Sequence, residues 1–91
     1  MITPDEHILI SAVRYAVGRQ SYIVGVTAEY VALKRKTLSS QCIDIIIRDV
    51  EEKIEFYHRM DRTCGMECDE RQWQKLLEIL REEKGARNEW K

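Results

Sequence analysis

Between Leu38 and Met60 the chain carries its longest helical period: Ile43, Ile46, Ile47, Val50, Ile54 and Tyr57 recur at three- and four-residue steps and trace one apolar stripe. Thr37, Ser39 or Ser40 is available to cap it, so the pattern predicts a central core helix. Cys42 and Ile45 fall beside the stripe and widen the apolar surface past half the circumference, which suits central packing or a contact between two copies. Such a helix needs other amphipathic helices to cover it.

Those helices are legible on either side. Thr3-Pro4-Asp5-Glu6 combines a cap, a proline at the first helical position and a glutamate that completes a capping box. Ile8, Leu9, Ala12, Val13, Ala16 and Val17 then give an apolar face, predicting a helix over about 4–17 that ends where Gly18 can turn left-handed. The segment from Ser21 to Lys36 opens β-branched and contains Gly25, which favours a strand locally. Tyr22, Val26, Tyr30 and Leu33 nevertheless step by four, four and three, with Ile23 beside them and Ser21 as cap. A helix is therefore expected, with that stripe facing the core and Gly25 marking a close helix contact or a weak first turn. After a loop at 61–68, Asp69 and Gln72 form a capping pattern for a helix bearing Trp73, Leu76, Leu77, Ile79 and Leu80, which Gly85 would end. The expectation is an all-α fold: one domain over 1–85, a compact bundle of about four helices joined by short loops, and a polar tail at 86–91 that frays unless Trp90 docks.

Size and composition bound the functional classes. A chain of 91 residues holds one domain with a thin core, burying roughly two thirds of the surface its unfolded chain exposes. With 44% hydrophobic and 34% charged residues it reads as a globular chain, and no apolar run is long enough to span a membrane. The N-terminus lacks the basic-then-apolar order of a signal peptide, and Cys42, Cys64 and Cys68 suit reduced thiols, so a cytoplasmic location is expected. A net charge of -1 gives no global attraction to nucleic acid.

Catalytic and metal chemistry find little support. Cys64 and Cys68, with His58 and Glu67, supply one Cys-x3-Cys pair without the second pair a zinc site needs. His7 and His58 have no adjacent nucleophile motif, and there is no phosphate loop. The expectation is a non-enzymatic protein with no cofactor and no metal. Lys34-Arg35-Lys36 is the one basic cluster, placed where cations complement a helix C-terminus. With Arg14 and Arg19 it could instead neutralise phosphates in a small DNA-binding regulator. The helix that would then read bases begins Gln41-Cys42-Ile43-Asp44, too apolar for that role, so direct nucleic-acid binding is disfavoured.

Arg14, Tyr15 and Arg19 cluster around the end of the first helix and are residue types that anchor protein interfaces. The plain alternative has Arg14 pairing with a carboxylate such as Glu29 or capping carbonyls while the tyrosines fill the core. The run Ala12-Val13-Arg14-Tyr15-Ala16-Val17-Gly18-Arg19-Gln20-Ser21-Tyr22-Ile23-Val24, with Ile47-Arg48-Asp49 and Cys68-Asp69 before Trp73-x-x-Leu76-Leu77, resembles small helical proteins of bacteriophages and mobile elements of Gram-positive bacteria. The resemblance implies a phage context and no defined activity. It makes the expected partner a host protein, in its sharpest form a defence nuclease such as a CRISPR effector that the chain inhibits. Asp49, Glu51, Glu52 and Glu55 could then enter a basic groove of that partner. A solvated helical surface and a structural homodimer stand as the alternatives.

Overall fold

The computed structural model describes residues 2–19, 22–60 and 64–88. They form four α-helices, α1 (Pro4–Val17), α2 (Tyr22–Lys34), α3 (Ser40–His58) and α4 (Cys64–Asn88), with a single 3₁₀ turn at Arg35–Thr37 between α2 and α3. The fold is all-α, with no strand among the described residues.

The start of α1 follows the local chemistry. Thr3 is extended, its hydroxyl accepts from the Glu6 N–H at 3.2 Å, and the Glu6 carboxylate accepts from the Thr3 N–H at 3.0 Å. The second oxygen of Glu6 accepts from the Ser39 N–H at 2.6 Å, while the Ser39 hydroxyl accepts from the Cys42 N–H at 3.2 Å and caps α3. One buried carboxylate thus ties together the first turns of two helices.

α1 packs on α2 and α3, and α4 packs on the same two, so the helices form a ring in the order α1, α2, α4, α3. Val13, Ala16, Val24, Val31, Ile43, Ile46, Val50, Trp73 and Leu80 are fully sealed at its centre. The expected α3 stripe is correct: Ile43, Ile46, Val50 and Tyr57 are buried, with Ile47 and Ile54 partly so. Cys42, off that stripe, is also core.

Four expectations are corrected. First, α4 begins at Cys64, not at Asp69, because the Leu80–Trp73 face continues one heptad back to Met66. Asp69 and Glu70 are therefore buried inside the helix, and the loop is shorter than expected. Second, Gly85 does not end α4: Arg87, one residue before the last helical residue Asn88, bonds the Glu83 carboxylate at 3.0 Å, the Ser40 hydroxyl at 3.2 Å and the Arg35 carbonyl at 2.9 Å. Those bonds hold residues 86–88 helical, whereas Trp90 lies outside the described residues. Third, Gly18 is right-handed at φ −88°, its N–H bonding the Tyr15 carbonyl as the helix tightens, so no left-handed turn is used.

The fourth concerns α2. Its expected core stripe faces solvent: Val26 and Tyr30 are each 49% exposed and Leu33 is 74% exposed. Val24, Ala28 and Val31 point inward instead. The smaller residues let α2 approach both α1 and α4, and no charge on the outer row forbade the reverse choice. The Tyr22 side chain and the expected cap Ser21 lie outside the described part of the structure. Gly25 makes no close contact, since a Cβ there would meet open space. On α1, Ile8 and Ala12 are likewise exposed and not core.

Candidate protein-binding face

Arg14 turns to its own domain: its Nε donates to Asp49 on α3 at 2.9 Å, and Glu29 is not its partner. Tyr15 stays outside the core, 55% exposed, with the Arg19 guanidinium 4.6 Å from its ring centre. Glu51 pairs with Arg81 of α4 at 2.5 Å, Glu55 with Arg59 at 3.7 Å, and Asp44 with Lys84. Glu52 is exposed and borders a shallow depression with Lys53 and Phe56. The acidic surface of α3 is thus laced to neighbouring cations through exposed pairs, each worth about 0–1 kcal/mol.

The basic cluster is also engaged internally. Arg35 donates to the Ala32 carbonyl at 2.6 Å, Lys36 approaches Glu83 at 3.7 Å, and Lys34 lies 5.8 Å from the Tyr30 ring centre. These contacts fit the expected helix-end role. Asp44 and Ser40, at the start of α3, are held by Lys84 and Arg87, so α4 crosses the surface that a base-reading helix would offer.

Polar chemistry is concentrated where α3 ends against α4. His58 contacts Glu70 at 3.1 Å, and the Gln74 amide donates to the same oxygen at 2.9 Å. Burial pushes the Tyr57 phenol up, the Asp69 carboxylate adds to this, the Trp73 indole opposes it, and Glu70 adds a smaller push. This cluster joins two helices. Cys42 is pushed up to about 11, by burial first and then by Glu6, and stays a neutral thiol. Among the described residues, no three His, Cys, Asp or Glu side chains converge to hold a metal ion.

The surface that pattern reasoning missed lies on α1 and α2. Ile8, Ala12 and Tyr15 on α1, and Val26, Tyr30 and Leu33 on α2, each step by four and then three residues and are all exposed. Between the rows runs a groove of about 340 Å³ lined by Asp5, Ile8, Leu9, Ala12, Val26 and Tyr30. Leu33, on the other flank of the α2 row, borders a second depression with Glu29 and with Gln72 and Lys75 of α4. The available signal was the shortage of charge on α2: Glu29 and Lys34 are its only charged residues, so it has two apolar faces and only one core to meet. No protein-family model, curated protein or solved structure matches the chain.

Proposed function

We propose that this chain is a non-catalytic protein-interaction domain whose working surface is the apolar face shared by α1 and α2. The observation that carries the reading is that α2 has the composition of a buried helix yet exposes Val26, Tyr30 and Leu33. The exposed aromatic rings of Tyr15 and Tyr30 supply anchors of the kind that dominate interface energies, and Leu33 extends the apolar row toward the α4 side of α2. The internal pairing of Asp49, Glu51 and Glu55 makes the acidic side of α3 the weaker docking surface.

The resemblance to small phage proteins makes the partner a host protein, with a bacterial defence nuclease such as a CRISPR effector as its sharpest version. The domain then acts stoichiometrically, by covering a partner surface. Affinity capture from a bacterial host lysate tests this with the wild type, Leu33→Asp and Tyr30→Asp, and with Glu51→Lys/Glu52→Lys as a second pair. Loss of one specific captured protein in the α2 variants, with retention in the α3 variant, is expected. The opposite pattern in folded variants overturns the reading.

A further inference from the structure

We infer that in the free protein this face is covered by a second copy of the same chain, with α1 crossing α1 of that copy in antiparallel sense at Ala12. The inference rests on the reading of the α1/α2 face as the working surface and says what occupies it before a partner arrives. Along α1 and its cap, Asp5, Ile8, Ala12, Tyr15 and Arg19 step by three, four, three and four residues, the spacing of a helix seam. All five are exposed, with the Arg19 guanidinium stacked on the Tyr15 ring. Arg19 lies just past the end of α1, held close to it by a tight turn in which its N–H bonds the Ala16 carbonyl three residues back at 3.0 Å.

The order is self-complementary. From either end it reads charge, large, small, large, charge, and the two charges are opposite. Asp5 and Arg19 each stand seven residues from Ala12, about 10 Å along the axis. When two such helices cross antiparallel at Ala12, each Asp5 meets Arg19 of the other copy, and each Ile8 lies against Tyr15 of the other copy. A two-fold contact repeats every interaction, so both charge pairs form together. Ala12 at the crossing permits the close approach that a larger residue would prevent. Val26 and Tyr30, across the groove, extend the contact to the α2 row. A contact of this modest size is expected to hold with micromolar affinity, weak enough for a partner to displace it. Self-association and partner capture then exclude each other.

Charge exchange tests the arrangement. Sedimentation equilibrium over micromolar to millimolar chain concentrations is expected to show a dimer for the wild type. Asp5→Arg and Arg19→Asp should each weaken it about tenfold by setting like charges opposite one another, and the double variant should restore it. A wild type that stays monomeric, or a double variant weaker than either single one, overturns the inference. A second measurement is independent of charge: in a Cys64→Ser/Cys68→Ser background, Ala12→Cys should oxidise to a disulfide-linked dimer and Ser11→Cys should not. Equal cross-linking of the two, or none, contradicts the crossing at Ala12. A monomeric chain whose host capture still depends on Leu33 overturns self-association alone. A charge-dependent dimer whose capture ignores Leu33→Asp and Tyr30→Asp overturns the functional reading alone.

Discussion

α2 and α3 follow one another along the chain, separated by one 3₁₀ turn, yet they announce their buried faces very differently. On α3, Asp44, Arg48, Glu51, Glu52 and Glu55 are exposed and bracket the stripe of Ile43, Ile46, Val50 and Tyr57, so one assignment of inside and outside satisfies both sets, with Phe56 the apolar residue left exposed. On α2 both rows are apolar, and period alone serves Val26, Tyr30 and Leu33 as well as Val24, Ala28 and Val31. Packing decided between them: the bundle took the smaller row and left the larger one outside. The contrast teaches that a helical period locates a core face only where polar residues claim the other side. A helix without that constraint holds surface in reserve.

Three measurements probe the contrast, from the largest effect to the smallest. On α3, Ile46→Ala removes a fully buried side chain and is expected to cost about 2–5 kcal/mol in urea unfolding; a loss under about 1 kcal/mol would place the core elsewhere. Next comes the link that anchors α3 to α1. The Ser39 N–H, and after it the Thr3 N–H, hold the Glu6 carboxyl below the usual carboxylate range. Because its folded value is depressed, its contribution is present above the unfolded value of about 4.3 and is lost as pH falls through the lower folded value. The Glu83 carboxyl is lowered in the same sense, chiefly by Arg87. Unfolding midpoints should therefore hold from neutral pH down to the mid-acid range and drop below about pH 4. Glu6→Gln should lower the neutral midpoint and flatten that acid limb; an acid limb of unchanged steepness contradicts the role given to Glu6.

The smallest effects concern glycines read as helix stops. Gly85 lies within α4 with open space around a Cβ, so Gly85→Ala should stabilise by up to about 1 kcal/mol. At Gly18 a Cβ would meet the Tyr15 carbonyl oxygen at an ordinary 3.6 Å and φ is negative, so Gly18→Ala should fall within about 0.5 kcal/mol of the wild type. A large loss at either position would show that the glycine conformation is required after all.

Local signals read correctly wherever the chemistry was local. Thr3, Pro4 and Glu6 specified the start of α1, and the start of α3 falls at Ser39, one of the three candidate caps Thr37, Ser39 and Ser40, because each cap bonds within three residues. The bond from Glu6 to Ser39 spans 33 residues and depends on which helices become neighbours, so no short pattern encodes it. The same limit applied at α4, where Asp69 and Gln72 imitate a cap but the core face from Met66 to Leu80 prolongs the helix through them. Arg14 and Tyr15 were legible as a polar and aromatic helix end. The pairing of Arg14 with Asp49, and of Glu51 with Arg81, required the ring order of the helices. The α1/α2 face stayed hidden because its residues look like core until another row takes the core.

The pair Val31→Asp and Leu33→Asp, two residues apart on α2, tests this most directly, compared by urea unfolding in dilute solution. Val31 is fully sealed and Leu33 is 74% exposed. The account predicts that Val31→Asp loses about 4 kcal/mol or more, the range of a buried unpaired charge, while Leu33→Asp stays within about 0.5 kcal/mol of the wild type. Equal losses at the two positions, or a greater loss at Leu33, would return the outer row of α2 to the core and remove the proposed binding face.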